Sequence, residues 1–168
     1  MRVLLTFFWL IALPAIAQQP SLKQVDLADD HLALEIPAKW SFEGSVIVNE
    51  QGKKIGELSP GIKKECAYKN GTAFIVALKK GFEEDPEGIR FINSKKLVIN
   101  GRAWTEGVCL IDCTDGNGNW SSWYAHRFFS IMDGNCFEIT FYSQGKSLKS
   151  EQTIKQILGS IKIVNYSK

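Results

Sequence analysis

The scarcest reactive residues in this sequence are cysteine, at positions 66, 109, 113 and 136, and histidine, at 31 and 126. A thiolate beside an imidazole makes a nucleophile and its base, and the same two side chains are zinc ligands. Cys109, Cys113 and His126 are the sharpest metal candidate. Residues four apart on an extended strand are separated by about 13 Å, however, and ligands to one zinc ion sit about 2.3 Å from it. The spacing therefore argues against a metal centre, and His126 reads as a strand residue packed or hydrogen-bonded in place. No G-x-S-x-G elbow and no glycine-rich phosphate loop is present. Asp115, Asn117 and Asn119 imitate the opening of a calcium loop, but Trp120 stands where its glycine belongs and His126 where its glutamate belongs. No cofactor is expected.

The cysteines can instead form cystine, which an exported chain permits. Cys109 and Cys113 are too far apart to join each other, since a disulfide needs Cα atoms within about 7 Å. If the hairpins described below are right, Cys136 is about 20 Å or more from Cys109 and farther from Cys113. At most one bridge is expected, joining Cys66 to Cys136, Cys109 or Cys113, with the others free and Cys109-type positions serving as small apolar residues.

Export is read from the first residues. Arg2, the apolar run Val3 to Pro14 and the sequence Ala15-Ile16-Ala17 have the three parts of a cleavable secretory signal over residues 1–17. The run is too short for a bilayer-spanning helix of about 20 residues, no later stretch is apolar enough to serve, and no cysteine follows it to take a lipid anchor. A periplasmic or secreted protein is expected, with Gln18 as its new N-terminus. The net charge is only +2, and losing Arg2 reduces it further. That excludes the basic stripe that nucleic acid or an anionic membrane would require. Asn70-Gly71-Thr72, Asn119-Trp120-Ser121 and Asn165-Tyr166-Ser167 are glycosylation sequons, relevant only in a eukaryotic secretory pathway.

The elements that must position these residues follow from periodicity. Residues 18–24 read as a loose leader and 25–168 as a single α+β domain. Leu32, Leu34 and Ile36 alternate as in a half-buried strand that Pro37 ends. Short strands are expected at 46–48 and 55–58, a buried strand at 72–78, and an exposed acidic loop at 83–88. Asn100-Gly101 and Asp133-Gly134 are strong hairpin turns, and the Gly/Asn run 115–119 is a longer hairpin loop. Four consecutive strands then form an antiparallel meander. Ile154, Ile157, Leu158 and Ile161 form one helical stripe, with Ser150 as cap and Gly159 near the end, where residues 161–164 can open a short strand. The expected fold class is an antiparallel β-sheet meander packed against this C-terminal amphipathic helix.

The layout carries a likeness. Leu34-Glu35-Ile36-Pro37 followed by Trp40, the meander, Phe137 to Tyr142, and a helix ending Ile157-Leu158-Gly159-Ser160-Ile161-Lys162 resemble the PsbP-like and DcrB-like domains over about residues 25–164. The resemblance implies an exported sheet-and-helix fold with an accessory, protein-binding habit and no shared catalytic motif. The chain departs from DcrB-type members in having no lipidation cysteine. Asp115, Asn117, Asn119, Trp120 and Trp123 gather at one hairpin end, and Trp120, beside the Gly/Asn loop, is the residue expected to stand exposed as an interface anchor. An accessory domain acting by protein contact, of which an inhibitor or immunity protein is one version, is the leading expectation. A thiol or hydrolytic enzyme using a cysteine with His126 and a small-ligand-binding domain are the alternatives.

Overall fold

The computed structural model describes residues 21–27, 32–59, 66–84, 88–114, 117–145 and 151–164. The signal segment, His31, Asp115 and Ser150 lie outside them. Four long strands follow one another as expected: β6 (Ile89–Ile99), β7 (Arg102–Thr114), β8 (Trp120–Met132) and β9 (Asn135–Ser143). The turns between β6 and β7 and between β8 and β9 hold two residues each, and all four have positive φ: Asn100 at 48°, Gly101 at 76°, Asp133 at 50° and Gly134 at 79°. This backbone matches the twist of the strands it joins. It sets the register Ile99↔Arg102 and Met132↔Asn135.

Short strands β3 (Ser41–Glu43), β4 (Val46–Val48) and β5 (Lys54–Ser59) extend the meander into a seven-stranded sheet of order β3-β4-β5-β9-β8-β7-β6. A second sheet of three strands runs β1-β2-β10, with β1 at Leu22–Leu27, β2 at Leu32–Pro37 and β10 at Lys162–Ile163. Leu22 to Gln24 therefore belong to a strand paired with Glu35–Pro37, not to a leader. β1 is mostly exposed, so its sequence carries little of the apolar alternation that announces a strand.

Residues 72–78 form no strand. They lie in helix α1 (Gly71–Glu84), which also takes Glu83 and Glu84 out of the expected acidic loop. Asn70 caps it, its Oδ1 accepting the Ala73 N–H at 2.9 Å. The β-branched run hid a helical spacing: Phe74 and Leu78, one turn apart, are buried, and Val76 between them is exposed. Burial against the sheet outweighs a modest strand preference. Helix α2 (Glu151–Ser160) is the expected C-terminal helix, with Ile154, Ile157 and Leu158 buried and Ile161 just beyond. The described residues thus hold two helices where one was expected.

Each helix takes one face of the large sheet. Ile154, Ile157, Leu158 and Ile161 share a core with Leu32, Leu34 and Ile36 of the small sheet and with Trp104, Phe128, Phe137 and Phe141 of the large one. Burying the four helix side chains stabilises this layer by roughly 5–10 kcal/mol before entropy. The end of α2 is tied down by side chains. Asn100 Nδ2 donates to Gly159 O at 3.2 Å, Arg102 to Ile161 O, and Ser160 Oγ accepts the Glu35 N–H at 2.8 Å. On the other face, Phe74 stacks on Phe129, their ring centroids 5.0 Å apart, and Tyr68 meets both edge-on. A disulfide joins Cys66 to Cys136 beside this cluster, with Cα atoms 5.5 Å apart.

Two outcomes test this packing. A Cβ on Gly107 would lie 2.6 Å from Leu78 Cδ1, so helix α1 needs glycine beneath it. Gly107→Ala should lower stability by about 1–3 kcal/mol in urea titration, whereas Gly101→Asn, which keeps a residue tolerant of positive φ, should change it little. Ile157→Asp, at a fully buried position, should abolish the cooperative thermal transition.

Candidate functional site

The meander register decides which reactive groups can meet. Val108 pairs with His126, and Cys109 with Ala125. His126 therefore projects from the face under α2, and Cys109 from the face under α1. Cys66 and Cys136 are joined to each other, and Cys113 is exposed near the far end of β7. No cysteine reaches His126, so the thiol–histidine pair considered from the sequence is not assembled. Among the described residues no three His, Cys, Asp or Glu side chains gather as a metal site. Cys109 is buried, and burial pushes its thiol up to about 11, which leaves it unreactive at neutral pH.

His126 instead meets carboxylate and hydroxyl. It is 2% exposed, and so is Glu106, whose Oε1 lies 2.9 Å from His126 Nδ1. Lys95 Nζ is 3.0 Å from Glu106 Oε2 and 3.8 Å from Glu151 at the start of α2. On its other side His126 Nε2 lies 3.3 Å from Ser143 Oγ. Carboxylate, imidazole and hydroxyl in series have the order of a hydrolase triad. Ser143 Oγ also donates to Gly145 O at 2.5 Å. The series ties β7, β8 and the end of β9 together. Burial alone would raise the Glu106 carboxyl, but hydrogen bonds from His126 and Lys95 outweigh it and hold it below the ordinary carboxylate range. Sequence parity carried a sign of this pair, since Glu106 shares its face with buried Trp104 and Val108, and a charge there needs a partner.

The candidate binding residues at the β7–β8 end are spread out. Trp120 is 78% exposed, while Asn117 and Asn119 are exposed around the loop. Trp123 is half-buried. Its Nε1 donates to Ser121 Oγ at 3.2 Å, and Lys53 Nζ sits 4.5 Å from its ring centroid. The hairpin below Trp120 is held by Asp112, which accepts from Ser122 Oγ at 2.5 Å and from Arg90 at 3.2 Å. Trp123 therefore belongs to a cleft of about 360 Å3 at the end of β9, together with Trp40, Ile55, Tyr142 and the 49–53 turn. No sequence signal could place that cleft, because its walls come from five separated segments.

A native thiol titration should count one fast thiol, Cys113, and a second, Cys109, only after unfolding. The Glu106 shift also sets a pH dependence. Its folded value is lowered, so its contribution to stability is complete above the unfolded carboxylate value of about 4.3 and is lost as pH falls through the folded one. Glu106→Gln should flatten this acid limb in chemical denaturation. At neutral pH it should cost about 3 kcal/mol, because two cationic or polar partners lose their carboxylate.

No family model matches the chain, and no curated protein matches it. The fold has counterparts among solved structures. The solution structure of the cyanobacterial PsbP (CyanoP) of Synechocystis sp. PCC 6803 superposes with a TM-score of 0.52 at 10% identity, covering 91% of this chain and 98% of that one. A Pseudomonas aeruginosa protein of unknown function, PA94, gives 0.48 at 14% identity, covering 88% and 99%. With its seven-stranded sheet faced by two helices, the chain has a PsbP-like fold.

Proposed function

We propose that the chain is an exported, non-catalytic accessory domain that acts by contact with another protein through the outer end of the β7–β8 hairpin, with an inhibitor or immunity role as one form of that contact. The observation that carries the reading is Trp120, a large aromatic side chain 78% exposed at the end of two thirteen-residue strands. An exposed tryptophan on a stiff support is a favoured hot spot, because little conformational freedom is lost when it is covered. The Asp112 hydrogen bonds supply that stiffness. Asp115, outside the described residues, and the exposed Asn117 and Asn119 would form the polar rim around the anchor. The PsbP-like fold supports an accessory role. The burial of the Glu106–His126 pair supports a scaffold over a reaction centre. Export rests on the signal-like residues 1–17.

Trp120→Ala should leave the melting temperature unchanged and weaken partner capture about 30-fold or more in cross-linked pull-downs from the native host. Unchanged recovery would remove the hairpin end as the interface. Mass spectrometry of the mature protein should find Gln18 at its N-terminus, whereas a chain still beginning at Met1 would remove export.

A further inference from the structure

The cleft at the end of β9 carries chemistry that the hairpin reading does not use. Of three clefts lined by described residues, two are occupied by their own charges. In the one of about 120 Å3 under α2, Lys95, Glu106 and His126 satisfy one another. In the one of about 280 Å3 on the opposite face, Arg127 is hydrogen-bonded to Glu138. The third, of about 360 Å3, has Trp40, Ile55, Trp123 and Tyr142 among its walls, and two charged side chains line it, Glu50 and Lys53. Glu50 is neutralised by Lys39 at 3.0 Å and accepts from Gln51 at 3.0 Å. These contacts lower its carboxyl further.

Lys53 has no carboxylate partner among the described residues. Its ammonium rests over the Trp123 ring, 4.5 Å from the centroid. Its backbone is fixed too. Asn49 Oδ1 accepts the Gln51 and Lys53 N–H groups at 3.0 and 2.9 Å, and Gly52 turns the chain at a φ of 71°. The cleft thus offers flat apolar walls, one positioned positive charge and, among its lining residues, the exposed Gln144 amide.

We infer that this cleft is a binding site for a small amphiphilic anion, a flat aromatic or apolar body bearing one carboxylate. The body lies between the tryptophans, and the carboxylate takes the Lys53 ammonium in a charge-assisted hydrogen bond. The site is separate from the Trp120 contact, so either can fail without the other.

The test uses the full mature protein and calorimetric titration with three isosteric probes: 1-naphthoate, 1-naphthalenemethanol and 1-naphthylmethylammonium. The naphthoate should bind saturably at millimolar concentration or below, at least tenfold tighter than the neutral alcohol, with the cation weakest. Lys53→Met keeps the apolar stem and should bring acid and alcohol to equal affinity. Trp123→Leu should weaken both about tenfold, and Trp120→Ala should change neither. Lys53 is exposed, so its variant is expected to fold, which a melting curve checks. Absence of saturable naphthoate binding, equal affinity for acid and alcohol in the wild type, or an acid preference that survives Lys53→Met would each overturn the site.

Discussion

The register of the β6–β9 meander is the constraint on which the rest of this structure depends. Side chains alternate across a strand, so a slip of one residue would send every one of them to the opposite face. Two turns prevent the slip. Asn100-Gly101 and Asp133-Gly134 each place two consecutive positive φ values where a two-residue hairpin requires them. With register set, Trp104, Phe128 and Phe141 face α2 and the small sheet, while Gly107, Phe129 and Cys136 face α1. Asn100 serves twice, since its amide also holds the last turn of α2 through Gly159 O.

The same alternation decides the chemistry. His126 and Cys109 are neighbours in the sheet, yet they sit on opposite faces and cannot form a nucleophile–base pair. What shares the face with His126 is Glu106, and beyond it Lys95. Desolvation penalises the Glu106 carboxylate, and two hydrogen-bond donors more than offset that penalty. A group of this kind fixes three strands relative to one another. The hairpin end, where Trp120 is exposed, and the cleft lined by Trp123 are the two surfaces proposed to meet other molecules.

Legibility in the sequence followed the range of the interactions involved. The three hairpins and α2 rest on contacts close along the chain, and Asn-Gly turns or a 3.6-residue stripe announce them. The strands at 32–37 and 162–163 were legible but their pairing was not, because β2 takes one neighbour from the residues before it and the other from the far end of the chain. Helix α1 was misread because Thr72, Ile75 and Val76 favour strands. Asn70 as cap, the Phe74–Leu78 spacing and a glycine in mid-strand at 107 were the contrary signals. Trp120 could be singled out from its place beside a Gly/Asn loop. Trp123, three residues on, was grouped with it, but the structure gives it to a cleft whose far wall is the 49–53 turn.

Cross-strand Hα–Hα contacts in a nuclear Overhauser spectrum of the mature protein test the face assignment most directly. Antiparallel neighbours bring these protons together only at non-hydrogen-bonded pairs, so their pattern reads register without reference to side chains. The contacts observed should fall on every second pair of the two registers that contain Val108–His126 and His126–Phe141, one strand's number rising by two as its partner's falls by two. Contacts pairing Cys109 with His126, or His126 with Tyr142, would put the histidine on the other face and contradict the buried pair and the cleft together.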